Sequence, residues 1–214
     1  MTEFIDSIEK INKHLIASED NRQEIKAICQ NFIEDLLSLY HFIFNTKDKK
    51  GTVKFTPTEV EIYMYRDNTF EDPYTHRSKY QSDRETKQAL SVETKYNVYF
   101  HPAGLDIVFS NRADTCFSVL LRSGSFDNDK EIICGPLKLK KRLLSHWNII
   151  SKNKNLNENS TVSCKVVRNE FPGPINEKEL IVLGPRYGIN HKIDEDPTRD
   201  FIDMPLRGVY NLKQ

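Results

Sequence analysis

The stretch from residue 53 to residue 76, with TEVEIYMY at residues 58 to 65, is the part around which the rest of the chain is organised, and it begins as a predicted β-strand. Side chains of a strand alternate between two faces, so Val60, Ile62 and Met64 form an apolar face. The opposite face carries two carboxylates and two phenols: Glu59, Glu61, Tyr63 and Tyr65. The next segment, residues 66 to 76 (RDNTFEDPYTH), is polar and turn-forming, which predicts a loop that folds back over this second face. We therefore expect a cleft lined by acidic groups and flat rings.

Length and composition predict one globular domain spanning residues 1 to 214. A chain of 214 residues and 25.0 kDa suffices for one substantial core. Hydrophobic residues make up 38% of the chain and include 12 Phe and 9 Tyr, which argues against a disordered protein.

The order of the apolar patterns predicts an α/β fold of the α+β type. Residues 2 to 44 contain two amphipathic helices and the start of a strand, and residues 53 to 202 supply the sheet and the pocket. Pro57 predicts a sheet edge or a bulge in the opening strand. A helix over residues 137 to 150 begins after Gly135-Pro136, and a short coil closes the chain. Further strands are predicted at 97–101, 105–109, 117–123, 161–167 and 180–183. We expect a curved, mostly antiparallel sheet with helices packed around it.

Charge and cysteine usage favour a cytosolic protein. The 31 basic and 31 acidic side chains balance, so affinity for nucleic acid would have to come from local patches. The longest apolar run, residues 36 to 44, is shorter than the ~18 residues that cross a membrane, and the first residues lack the pattern of an export signal. The four cysteines are far apart and read as reduced thiols. We expect a cytoplasmic monomer with no membrane partner.

Several kinds of chemistry lack their usual motifs. The six histidines include no pair at metal-ligand spacing, and no cysteine stands at ligand spacing. No phosphate-binding glycine loop and no Gly-x-Ser-x-Gly turn is present. We expect neither a metal nor a cofactor.

A glutamate among aromatic residues remains as the candidate for chemistry. Glu61 on the concave face of a strand is suited to act as a general base toward water, and stacked rings suit a nucleobase. Alternatively, Glu61 is an exposed strand residue paired with a lysine and Tyr63 is an ordinary cross-strand neighbour. From these residues alone the second interpretation is favoured, because charged residues on strands are usually solvated.

A series of short segments changes that balance. In order along the chain they are 60–64 (VEIYM), 72–76 (DPYTH), 98–99 (VY), 118–122 (SVLLR), 135–139 (GPLKL), 185–189 (PRYGI) and 196–199 (DPTR). Each is a weak signal alone, but together they resemble, in residues and in order, the alkyladenine (3-methyladenine) DNA glycosylase family. The similarity extends roughly from residue 32 to residue 202.

The resemblance implies a monofunctional DNA glycosylase that flips a damaged purine out of double-stranded DNA and removes it. Glu61 would activate the attacking water, and Arg122 would hold that water or the nearby backbone. The base pocket would be lined by four rings: Tyr63, His76, Tyr99 and Phe109.

Two positions depart from the family pattern. Pro102 stands where the family has a tyrosine that wedges into the duplex, so the wedge would be Pro102, Phe100 or His101. Phe109 replaces an asparagine that screens the purine edge, which leaves the base specificity open.

The expected DNA contacts are basic side chains near a helix start. Lys138, Lys140 and Lys141 lie in the first turns of the helix after Gly135, where backbone amides also favour anions, and Arg186 would extend the patch. A solvated helix face, with Arg186 paired to nearby acids, explains the same residues. Two other functions also stay open: a nucleic-acid or nucleotide binding module that has lost the activity, and an enzyme acting on a free nucleoside.

Overall fold

The computed structural model describes residues 22–46, 51–66, 68–75, 97–111, 115–127, 129–147, 162–169, 180–189 and 199–211. The first of the two amphipathic helices predicted within residues 2 to 44 lies outside the described residues, and so does His76.

A single curled antiparallel sheet with a few helices makes up the described part of the chain, which confirms the predicted fold class. In chain order the elements are α1 (Arg22–Leu39), β1 (Tyr40–Thr46), β2 (Thr52–Arg66), β3 (Phe70–Glu71), β4 (Asn97–His101), β5 (Gly104–Asn111), β6 (Thr115–Phe126), β7 (Ile133–Cys134), α2 (Pro136–Ser145), β8 (Val162–Arg168), β9 (Ile181–Gly184), α3 (Arg199–Ile202) and β10 (Arg207–Tyr210).

The 15-residue strand β2 is the hub of the sheet. The strand order is β7-β6-β5-β4-β8-β1-β2-β10-β9, and β2 pairs in addition with β6, so the sheet curls back on itself. One edge of β2 meets β6, while the other meets β1 and then β10. The register with β6 shifts between Pro57 and Val60, which confirms the irregularity predicted at Pro57. Strand β3 turns back to pair with the end of β2.

The two faces predicted for β2 differ in what their side chains pack against rather than in burial, because Glu61 and Tyr65 are buried as well. Val60, Ile62 and Met64 are fully buried in the hydrophobic core together with residues of helix α1, such as Ile33 and Leu36. These positions bury apolar area on one side of the sheet, and each large side chain removed from water contributes about 1.5–3 kcal/mol. The opposite side of β2 is left for polar groups.

The coil predicted at the end of the chain contains a strand instead. Strand β10 lies between β2 and β9 and pairs with both. Its sequence, RGVY, is short and includes Gly208, so no local pattern marks it as a strand. A Cβ atom at Gly208 would overlap the Ile33 side chain, so the absence of a side chain is what lets β10 approach helix α1.

Helix α2 also differs from its prediction, since it ends at Ser145 and a turn follows at His146 and Trp147.

Gly124→Ala is expected to destabilise the fold by about 1–3 kcal/mol, the usual cost of overpacking. A Cβ at Gly124 would overlap both the Phe55 ring and the Thr56 carbonyl oxygen, and the backbone oxygen has no rotamer by which to move away. Urea unfolding measures the cost. Gly184→Ala is the control, because a Cβ there meets no atom within 4 Å. Equal unfolding free energies for the two variants would contradict this close packing of β6 on β2.

Candidate functional site

Strand pairing brings a row of residues from five strands and the β9 edge onto one face of the sheet. Residues directly opposite each other in antiparallel strands share a face. Read across the sheet, the row is Gly184, Arg207, Glu61, Leu120, Asp106 and Tyr99. The strand spacing of roughly 4.8 Å puts the Glu61 and Asp106 backbones about 10 Å apart, with Leu120 between them.

Glu61 is buried in this row, with no exposed surface, and its carboxylate has three partners. One oxygen, Oε1, accepts a hydrogen bond of 2.7 Å from the Tyr187 backbone N–H and lies 3.2 Å from Nη1 of Arg122. The other oxygen, Oε2, accepts a hydrogen bond of 3.1 Å from the Tyr63 hydroxyl. The interpretation of Glu61 as an exposed residue paired with lysine is therefore wrong.

The Tyr63 hydroxyl is held as a donor toward Glu61. Burial, followed by the negative charge of Glu61, raises the pKa of Tyr63 well above its usual value. Since a phenol with a raised pKa stays protonated at neutral pH, its O–H remains available to the carboxylate.

Glu59, on the same face of β2, also has three donors, one of which it shares with Glu61. Its carboxylate accepts hydrogen bonds from Nε of Arg207 at 2.7 Å, Oγ of Ser123 at 2.7 Å and Nε of Arg122 at 3.0 Å. Burial alone would raise the pKa of Glu59, but hydrogen bonds from Ser123 and Arg207 and the two arginine charges outweigh it and lower the pKa. Glu59 is thus held ionised, and both its oxygens have donors.

Arg122 bridges the two glutamates, so its charge within a largely buried strand has two partners. Its guanidinium contacts both Glu59 and Glu61, and its Cζ lies 5.2 Å from the centre of the Tyr187 ring. Arg207, which contacts Glu59, was missed from the sequence because the segment that contains it was predicted to be coil.

Asp106 is a second buried carboxylate that sequence reasoning missed. It is 2% exposed, its Oδ1 lies 3.2 Å from Nε2 of His101, and its Oδ2 accepts a hydrogen bond of 3.3 Å from Ser118. The His101 ring stacks on Tyr99, with centroids 5.8 Å apart and planes inclined by 17°. The β4–β5 hairpin places Asp106 directly opposite Tyr99. The alternation of side chains along these two strands is therefore the sequence signal that would have identified Asp106.

Two predicted site residues lie in the core instead. Phe109 packs against Phe32 and Phe117, with ring centroids 5.5 and 5.6 Å away, and does not join the polar row. Its register with β6 is interrupted between Val108 and Ser110. Phe100 is also a buried member of the core, at 5% exposure, so its side chain does not fit the predicted wedge role. Of the three wedge candidates, Pro102 is the exposed one, in the turn between β4 and β5.

Arg186 was predicted to contact DNA, but the structure places it inside the protein at 5% exposure. It forms a bidentate ion pair with Asp72, at 2.5 and 3.1 Å, and donates to the carbonyl oxygens of Ile62 and Phe201, each at 3.2 Å. Burial would lower the pKa of Arg186, but the Asp72 charge and hydrogen bonds outweigh it and raise the pKa. Arg186 therefore anchors the segment after β9 to β2 and to the loop after β3.

The predicted lysine patch divides into two kinds of side chain. Lys140 donates a hydrogen bond of 2.6 Å to the His101 carbonyl oxygen, and burial, together with the Lys141 charge, lowers its pKa. Lys138 and Lys141 are exposed on α2. The start of α2 also packs on the hairpin turn, since a Cβ at Gly104 would lie only 2.8 Å from Cβ of Pro136. Pro102 and the exposed lysines thus lie at neighbouring positions of the fold.

No cluster of three or more His, Cys, Asp or Glu side chains in the described ranges is arranged to hold a metal ion. None of the described helices is long and apolar enough to cross a membrane. No protein-family model matches the chain, and no curated protein matches it in sequence.

Proposed function

We propose that this protein is a monofunctional DNA glycosylase that excises alkylated or otherwise damaged purines from double-stranded DNA. The observation that carries the proposal is Glu61, a buried carboxylate held by Arg122, Tyr63 and the Tyr187 amide on the face that also carries the Tyr99–His101 stack. The family resemblance assigns Glu61 and Arg122 to water activation and Tyr63 and Tyr99 to the base pocket, whereas it gave His101 only as a wedge candidate and did not include the Tyr187 amide.

One oxygen of the Glu61 carboxylate keeps a lone pair that can accept a hydrogen bond from water. Each carboxylate oxygen has two lone pairs, and among the described residues Oε2 of Glu61 accepts one hydrogen bond, from Tyr63. Arg122 and the Tyr187 amide both act on Oε1, so they fix the orientation of the carboxylate without using Oε2. A water at Oε2 would be aligned by a rigid base.

The reaction proposed is a hydrolysis with a single displacement. The oxygen of the bound water attacks C1′ of the flipped deoxynucleotide while the bond from C1′ to the base nitrogen breaks. The electron pair of that bond leaves with the base, and a water proton passes to Glu61. A cationic alkylated purine leaves as a neutral molecule, so a positioned water and one carboxylate base are sufficient.

The rings of the site suit a planar substrate. Tyr99 and His101 form a nearly parallel stack, and the Tyr63 ring lies 4.7 Å from Cζ of Arg186. Aromatic rings bind a nucleobase by its π-face. Tyr99 is 6% exposed, so a flipped base would have to reach it from inside the protein. Exposed Pro102 at the hairpin turn, with Lys138 and Lys141 on α2, would meet the duplex and its phosphates.

The test is release of free base from oligonucleotide duplexes that each carry one lesion: an alkylated purine, a deaminated purine or an undamaged control. We expect release of at least one damaged purine and none of the undamaged base. The products separate by chromatography, and the abasic strand is detected by alkaline cleavage. Absence of release from every lesion would refute the proposal.

A nucleic-acid binding module without activity is the second candidate. Complete burial of Glu61, with three partners, is also what a purely structural carboxylate network would have. This candidate predicts salt-dependent binding of DNA with no excision, so turnover of any one lesion excludes it.

A further inference from the structure

Tyr187 is an exposed aromatic residue beside the most buried polar group of the site. It is 69% exposed, more than any other large hydrophobic side chain in the described ranges. A single exposed apolar residue is ordinary on a protein surface, so the case for Tyr187 depends on how its surroundings hold it.

The backbone on both sides of Tyr187 is held firmly. Arg186 is buried and bound to Asp72 and to two carbonyl oxygens, so the residue before Tyr187 has a fixed position. Gly188 follows with φ of 77°, a conformation that side chains with a Cβ rarely adopt. The turn therefore directs the Tyr187 side chain outward, while its own N–H points back to Glu61.

A cation lies over one face of the Tyr187 ring. Cζ of Arg122 lies 5.2 Å from the ring centre, a distance at which the guanidinium is attracted to the π-face. Because Arg122 is held in turn by Glu59 and Glu61, a fixed cation favours this orientation of the ring. With the guanidinium over one face and most of the residue exposed, the opposite face is open to a planar group.

We propose that Tyr187 is the stacking residue at the mouth of the site, where its open face binds the nucleobase next to the nucleotide delivered to Glu61. The inference rests on the proposed function. The Tyr187 ring, in the segment after β9, would make the aromatic contact with the DNA stack. Pro102, at the tip of the hairpin turn, has no aromatic ring to make that contact. Tyr187 acts on binding, and Glu61 acts on the bond that breaks.

Binding of short fluorescein-labelled DNA duplexes, measured by anisotropy at fixed salt, tests the inference. Tyr187→Ala is expected to weaken binding about 10- to 100-fold, the loss that follows from one base–aromatic stack. Tyr187→Phe keeps the ring and is expected to bind like the wild type. Ile132→Ala is the matched control, because Ile132 is an exposed apolar residue (39%) beside β7, at the other end of the strand order from β9.

A second duplex identifies what the ring contacts. It carries tetrahydrofuran abasic analogues on both sides of the target nucleotide, so that no flanking base is present. Wild type and Tyr187→Ala are expected to bind this duplex equally, since the stacking partner has been removed. An undiminished difference between the two proteins would overturn the assignment.

Other outcomes are equally decisive. Wild-type affinity in Tyr187→Ala, equal losses in the Ala and Phe variants, or no DNA binding by the wild type would each overturn the inference. If Tyr187 is needed for binding but no lesion is released, the stacking role stands and the glycosylase proposal fails. If lesions are released and Tyr187→Ala binds and cleaves normally, the glycosylase proposal stands alone. Equal melting temperatures of the variants exclude misfolding.

Discussion

Glu61→Gln is expected to lower the rate of base release by about 10²- to 10⁴-fold, the usual contribution of a general base. The amide has nearly the same shape as the carboxylate, and its oxygen still accepts the hydrogen bond from the Tyr187 N–H. What it loses is the ability to take a proton from water. The rate is measured in a single turnover, with enzyme in excess of the lesion duplex, so that slow product release does not mask the chemical step.

Glu59→Gln is the matched control for this prediction. Glu59 lies on the same face of β2 and contacts the same Arg122, but its other partners are Arg207 and Ser123 instead of Tyr63 and the Tyr187 amide. We expect Glu59→Gln to lower stability and to change single-turnover release much less than Glu61→Gln does. Release by Glu61→Gln at the wild-type rate would remove Glu61 from the mechanism, and equal losses in the two variants would mean that Arg122 pairing, not proton transfer, limits the rate.

Asp72→Asn is expected to lower the free energy of unfolding by about 3–5 kcal/mol, because it leaves the buried Arg186 charge without its counterion. Both side chains of this pair have no exposed surface. Asp72 also accepts hydrogen bonds from the Tyr74 N–H and the Thr75 hydroxyl, each near 3 Å, and these weaken in the variant. Urea denaturation at neutral pH measures the loss.

The control is an exposed ion pair between α1 and α3. Arg22 and Asp200 lie 3.1 Å apart, but their side chains are 43% and 73% exposed. Asp200→Asn is therefore expected to cost less than about 1 kcal/mol. The double variant Asp72→Leu with Arg186→Met removes both buried charges and is expected to recover much of the stability lost in Asp72→Asn. Similar losses from Asp72→Asn and Asp200→Asn would contradict the structural role given to Arg186.

Loss of the buried pair also has a consequence for the site. Arg186 directly precedes Tyr187, whose N–H binds Glu61, so loosening Arg186 would release a hydrogen bond that orients the carboxylate. A stabilising pair in the interior thus supports the geometry of the candidate base.

Local patterns in the sequence determined the elements that carry the site. The two-residue period of β2 separated Val60, Ile62 and Met64 from Glu59, Glu61 and Tyr63, and the structure has the same two faces. Such a period is a property of neighbouring residues and needs no knowledge of the rest of the fold.

Tertiary structure alone decided which distant groups meet. Arg186 pairs with Asp72, 114 residues away, and not with the acids that lie near it in sequence. The Tyr187 N–H binds Glu61 across 126 residues. Tyr187 follows β9, and β9 is held near β2 by β10, which pairs with both strands. Two-residue alternation along β5 already separates Phe109, on the core side with Ile107, from Asp106, and strand pairing decided that Asp106 shares the face of Glu61 through Leu120. The sequence by itself determined that β2 has a polar face with Glu61 on it. Sheet register and strand order, which arise from contacts far apart along the chain, decided which arginine, amide and ring lie beside that carboxylate.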